Sequence, residues 1–264
     1  MEYPTLVARL RDTLAADSRV AGIWLVGSRG RGESDEHSDV DLLVAAASDD
    51  VDKLSGSVID LVSAAFPLVY SQQLGAAPIF NFITKEWLRF DISLCGTEAL
   101  SRYRRDGAQL VHGSDDLDAL LSDATHELGA DAATVERLTI EFMRVLGLLP
   151  VVVGRDDIAT GVSGAALVRN LLIELMKQDA VVVDRGGMLS ARRVLPDRHY
   201  EQLRALPPLH SDSGSVVAYN VTCARLFFPL SRMLYGQCGL AWPDGMHVAL
   251  AEHLRATLDI ELIS

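Results

Sequence analysis

The sequence has little of what several protein classes require. Three cysteines, Cys95, Cys223 and Cys238, are too few and too scattered across 264 residues for a disulfide framework or a zinc site. No uninterrupted apolar run approaches the ~18–20 residues of a membrane span. The opening MEYPTLVARLRDTL mixes charged and apolar residues and has no signal-peptide core. A reduced, cytoplasmic protein without a membrane partner is therefore expected. Basic residues are in the minority, 24 against 36 acidic, for a net charge of −12. That balance argues against a nucleic-acid backbone as partner, which calls for a basic surface, and suits a cationic or neutral small substrate. What is present, 49% hydrophobic and 23% charged residues, is the composition of a globular chain and excludes a disordered one.

The first hundred residues alternate helical and extended patterns. Leu6, Leu10 and Leu14 recur on one helical face behind Pro4. Val20–Val26 and Val40–Ala45 read as buried strands, and Ser48 to Ala65 as one helix capped by Ser48, Asp49 or Asp50 and stopped by Pro67. Residues 68–74 and 79–84 flank Gly75-Ala-Ala-Pro78 as a hairpin, and Arg89–Leu94 alternates as a further strand. Past residue 115 the rhythm is helical: Val135 to Leu149 ending at Pro150, Ala165–Met176, Val217–Phe228, and a last helix from Pro243 to Leu258. Val181–Asp184 is the one later strand signal. The expected architecture is α+β, a small mixed-sheet domain (1–115) followed by an α-helical bundle domain (116–264).

The chemistry-bearing segment is GSRGRGESDEHSDVDLLV, Gly27 to Val44. Residues two apart on a strand share a face, so Asp39 and Asp41 project together while Val40 and Leu42 enter the core. Paired carboxylates repel unless a cation compensates, and hard oxygen donors suit Mg²⁺. In RFDISL, Asp91 lies opposite the apolar Phe90, Ile92 and Leu94. If its strand neighbours that of Asp39 and Asp41, three acids converge, enough for two metal ions. Gly27 and Ser28 offer backbone N–H groups and a hydroxyl at a strand-to-helix turn, and Arg29 and Arg31 offer positive charge to a polyphosphate. An Asp-x-Asp pair alone marks a solvated strand end; three acids each interrupting a buried strand do not fit that reading.

Gly27-Ser28, a ten-residue spacer, Asp39-Val40-Asp41 and the later Asp91 resemble the signature of the DNA polymerase β-like nucleotidyltransferase superfamily. Within it, a small α/β domain followed by a helical one is similar to the antibiotic nucleotidyltransferases, of lincosamide or aminoglycoside adenylyltransferase type. Asp91 and Arg169-Asn170 fall in the same order as in the lincosamide enzymes. The resemblance implies Mg²⁺-dependent transfer of AMP, or another NMP, from ATP or another NTP to a hydroxyl of a small molecule, with release of pyrophosphate. It implies Asp39 and Asp41 as metal ligands and Asp91 as general base or metal ligand. Gly27, Ser28, Arg29, Arg31 and Arg169 would bind the nucleotide, and a homodimer is in keeping with it. Two other readings stay open: transfer to a partner protein, and a catalytically silent nucleotide-binding module. Other signals carry less. GVSG around Ser163 lacks the full nucleophile-elbow form, and the seven histidines show no metal-ligand spacing. Trp87 fits ring stacking and hairpin packing equally well.

Overall fold

The computed structural model describes residues 2–124 and 127–262, with the backbone alone of Met188; His126 lies outside them. The chain forms two compact units, Met1–Thr125 and His126–Ser264. In the first, α1 (Tyr3–Ala15) leads into β1 (Val20–Val26), a single helical turn α2 (Gly27–Gly30), and β2 (Val40–Ala46). Then come α3 (Ser48–Ser55), α4 (Val58–Ala65), β3 (Leu68–Gln73), β4 (Ile79–Thr84), β5 (Arg89–Gly96), β6 (Gln109–His112) and the turn α5 (Asp115–Asp118).

The strands make one mixed sheet in the order β3-β4-β5-β2-β1-β6. β2 and β5 are parallel, with Asp41 opposite Asp91, and the other neighbours are antiparallel. Strand alternation gives the sheet two different faces. On one, Leu6, Leu10 and Leu14 of α1 and Val58 and Val62 of α4 cover Ile23, Val40, Leu42, Val44, Phe80, Phe82, Phe90 and Ile92. The other face carries a smaller cluster of Trp24, Leu43, Ala45, Cys95, Leu100 and Leu121, and beside it the acids.

The helix expected over residues 48–65 is two. α3 ends at Gly56, Ser57 intervenes, and Ser48 is the first helical residue, its hydroxyl directed to Glu98 rather than to a cap. The short strand β6 was not expected. Residues 116–124 belong with the first unit and not the second, because Trp24 Nε1 donates to Asp118 Oδ1 at 2.8 Å and Leu121 packs beside the same indole.

In the second unit α6 (Ala132–Leu146), α7 (Leu149–Gly154), α8 (Ile158–Gln178), α9 (Ala191–Val194), α10 (Asp197–Arg204), α11 (Ser213–Cys238) and α12 (Asp244–Leu258) follow one another. α6, α8 and α11 surround a core in which Phe142 stacks on Phe227 with centroids 3.7 Å apart. Pro150 stands in the first turn of α7 rather than ending α6, where its missing N–H costs nothing. Val181–Asp184 forms no strand, only the isolated bridge Leu128–Val182. By length and composition α8 could cross a membrane, unlike any segment the sequence pattern singled out. Here it is a core helix, with Val168, Leu172, Leu175 and Met176 buried.

The Trp24–Asp118 bond ties the end of the first unit to its sheet. Trp24→Phe and Asp118→Ala are each expected to lower unfolding free energy by ~1.5–3 kcal/mol. The double variant should lose little more than either single one, as urea unfolding will read; additive losses would refute the coupling.

Candidate active site

The end of the sheet where β1 stops and β2 and β5 begin gathers the polar side chains. Gly27 opens α2 with φ of +65°, and a Cβ built on it would lie 2.0 Å from Asp41 Oδ2. The Asp41 carboxylate thus rests directly on the glycine, which must be glycine for its backbone and for the space. Gly30 is equally constrained: a Cβ there would come within 2.4 Å of the Gly107 carbonyl oxygen and 2.5 Å of that of Leu25. The Gly-Ser corner is therefore fixed against both β2 and the 105–107 turn.

Asp41 pairs in register with Val26 on one side and Asp91 on the other, and Asp91 with Asn81 of β4. Cross-strand partners share a face, so Asp41, Asp91 and Asn81 form a row there. Asp91 is half-buried, and burial pushes its carboxyl up from the ordinary range. The negative charge of Asp39 pushes the same way, while a hydrogen bond with Asn81 and the positive charge of Arg89 oppose it.

Asp39 lies one residue before β2, on a loop held from both sides. Arg29 Nε donates to the Asp39 carbonyl at 2.9 Å and another of its nitrogens to the Ser38 carbonyl at 2.6 Å, while its guanidinium lies 4.1 Å from the Tyr3 ring centroid. From β5, Arg89 donates to the His37 carbonyl at 3.3 Å and stands 3.9 Å from the Asp39 carboxylate. Within the loop, Ser38 Oγ donates to Asp35 Oδ1 at 2.8 Å and the His37 N–H to the same oxygen at 2.9 Å.

Of the residues singled out in the sequence, the structure brings Gly27, Ser28, Asp39, Asp41 and Asp91 to one end of one sheet. Arg29 is turned to the loop carbonyls, and Arg31 pairs with Glu33 at 2.9 Å. Arg169 belongs to the second unit, half-buried on α8 with its charge felt by Tyr219 and Cys223. Ser163 sits inside α8, bonded to the Ala159 carbonyl at 3.2 Å, and is no elbow nucleophile. Asn81 and Arg89 were not singled out. IFNFIT places Asn81 opposite Phe80 and Phe82 by alternation, but only the β4–β5 register puts it against Asp91.

Among the described residues no group of three or more acidic, histidine or cysteine side chains stands close enough to hold a metal ion unaided. The donor set still fits Mg²⁺. That ion takes one or two carboxylates and completes its octahedron with water and substrate phosphates, and a cation would offset the repulsion that Asp39 exerts on Asp91.

Residues 7–74 match the nucleotidyltransferase domain family; the match contains Gly27, Ser28, Asp39 and Asp41 and stops short of Asp91. No curated protein sequence matches significantly. Among solved structures, an aminoglycoside 6-adenyltransferase from Bacillus subtilis is similar at 13% identity and a TM-score of 0.43, over 94% of this chain and 95% of that one. A nucleotidyltransferase-like protein from Exiguobacterium sibiricum aligns at 14% identity and TM-score 0.36, over 97% and 88%. A spectinomycin adenyltransferase from Enterococcus faecialis, solved with ATP and spectinomycin, aligns at 11% and 0.35, over 86% and 99%.

A carboxyl that holds its proton more tightly folded than unfolded favours folding below its ordinary range near ~3.9. That advantage is lost as pH rises through the folded value. Asp91→Asn removes the charge and keeps an amide for Asn81. In metal-free buffer it is expected to melt above the parent at pH 7, the gap closing near pH ~3.5. A lower melting temperature at pH 7 would contradict the account.

Proposed function

We propose that the protein transfers a nucleoside monophosphate from a Mg²⁺-bound nucleoside triphosphate, ATP in the first instance, to a hydroxyl of a small molecule. The observation that carries this reading is the pairing of Asp41 with Asp91, and of the Asp41 carboxylate with Gly27, at one end of the sheet.

The acceptor oxygen forms a bond to the α-phosphorus as the bond from that phosphorus to the bridging oxygen breaks, and pyrophosphate leaves. Bound Mg²⁺ would neutralise the developing phosphate charge and lower the pKa of the attacking hydroxyl. Asp39 and Asp41 would hold it. The amides of α2 and the Ser28 hydroxyl take the β- and γ-phosphates, since the first amides of a helical turn have no partner within it. An Asp91 carboxylate oxygen accepts the hydroxyl proton; a raised carboxyl pKa brings a base nearer the working pH. Arg29 positions Asp39 through the loop carbonyls rather than binding phosphate.

The acceptor is a small hydroxylated molecule bearing amines, of the aminoglycoside or lincosamide type. The resemblance noted in the sequence and the net charge of −12 support this class, because an acidic surface concentrates cationic ligands. Incubation with Mg-ATP and a panel of both antibiotic types, read by the mass gain of one nucleotidyl group on the acceptor, tests it directly. No mass gain on any member would reject the acceptor class.

Asp39→Asn and Asp41→Asn are each expected to cut turnover at least ~10²-fold while leaving the fold intact or slightly stabilised without metal. Unchanged turnover in both would reject the metal-ligand roles. Arg29→Lys should lower kcat about tenfold with the nucleotide KM little changed, because it disturbs Asp39 and not ground-state binding. A raised KM at constant kcat would make Arg29 a phosphate ligand instead.

A further inference from the structure

Three described residues other than glycine have positive φ: Trp87 at 65°, Asp156 at 52° and Asp259 at 54°. Aspartate tolerates this conformation at helix ends, and Asp259 is the C-cap of α12. A bulky aromatic residue there is a true outlier. The turn that imposes it is firmly bonded. Trp87 N donates to the Thr84 carbonyl at 2.9 Å, Thr84 N to the Leu88 carbonyl at 3.0 Å, and Leu88 N to Thr84 Oγ1 at 3.2 Å. The strain is not spent on packing, for Trp87 is 70% exposed, the most exposed aromatic among the described large hydrophobic residues. Hairpin packing, one of its two sequence readings, is thereby removed. Strain held at an exposed residue by an over-determined turn is a mark of function.

Its place defines what it meets. The β4–β5 turn precedes Arg89, which touches Asp39, and Asp91. Across the sheet the order is Gly27-Ser28 after β1, Asp39 just before β2 and Asp41 on it, Asp91 on β5, then the Trp87 turn. With pyrophosphate leaving towards the Gly-Ser corner, in-line displacement brings the attacking hydroxyl from the other side. That is the side of Trp87.

We infer that Trp87 is the stacking platform of the acceptor subsite and takes an amine-bearing saturated ring, an amino sugar or aminocyclitol. The flat indole accepts the axial C–H groups of such a ring, and its π-face attracts the ammonium. The inference rests on the transfer reading above.

The test uses the full chain with Mg²⁺ and α,β-methylene-ATP, titrated calorimetrically with nucleotide alone and then with spectinomycin, kanamycin and lincomycin. At least one ring amine should bind the parent. Its affinity should fall about tenfold or more in Trp87→Ala and Trp87→Gly and about threefold or less in Trp87→Phe. Nucleotide affinity should stay within about twofold in all three. Trp87→Gly should also melt above the parent, since glycine adopts the left-handed backbone freely. Ring-amine affinity unaltered in the alanine variant overturns the inference. So does weakened nucleotide binding, which would make Trp87 a base platform, or a nucleotide-loaded parent that binds none of the three. A parent that does not bind Mg-nucleotide at all overturns the transfer reading itself, and the two failures are thus distinguished.

Discussion

The parallel pairing of β2 with β5 is the constraint on which the site depends. It joins segments far apart in the chain, sets the core residue Val40 against Phe90, and puts Asp41 beside Asp91. Were the strands antiparallel, the start of β5 would lie at the far end of β2, and the two acids would be separated by about 15 Å of strand. The acids do not hold this pairing together. Val40, Leu42 and Val44 against Phe90, Ile92 and Leu94 do so on the opposite face, where Phe82 stacks on Phe90 with centroids 4.9 Å apart. One face of the sheet is the adhesive that keeps like charges together on the other.

How much of this was legible follows from the range of each signal. Strand alternation is local, so the facing of Asp41 and Asp91 could be read from VDLLV and RFDISL. Register between distant strands is not local. It is set by the packing of whole faces, and so the partnership of Asp91 with Asn81 left no trace in the sequence. Long side chains are harder still. Arg29 beside a Gly-Ser corner reads as a phosphate ligand, and nothing local tells that its Nε and one Nη donate to the Asp39 and Ser38 carbonyls. The break between α3 and α4 at Gly56 leaves no signal in the pattern, because Val51, Leu54, Val58 and Leu61 keep a helical rhythm through it.

The polar face is open only in part. Two residues beyond Asp41 comes Leu43, and four beyond Asp91 comes Cys95, both within the cluster that Trp24, Leu100 and Leu121 complete. Burial pushes the Cys95 thiol up to about 11, so it stays protonated and unreactive at neutral pH. On β2 the change from carboxylate to apolar side chain occurs within one strand repeat, roughly 7 Å. Trp24 lies at that change, with its ring in the cluster and its N–H on Asp118. The segment that closes the first unit thereby walls off the apolar half and leaves the acids at the sheet's end.

Two features that cost stability lie together at that end. Asp91 is half-buried beside another negative charge, and Trp87 is held in a left-handed backbone while exposed. A chain under no functional demand would relieve each by a single substitution, to asparagine and to glycine, without disturbing a packed neighbour. The helical unit has conflicts of another kind, a left-handed Asp156 and the buried, unpartnered polar atoms of Tyr235, Trp242 and His247. Its left-handed Asp259 satisfies a helix end, its aromatic rings stack in the core, and its buried Lys177 is paired with Glu174 at 2.8 Å. An exposed strained ring and a half-buried acid at one end of one sheet are in keeping with a binding and reacting surface, because groups that await a ligand cannot also be satisfied without it.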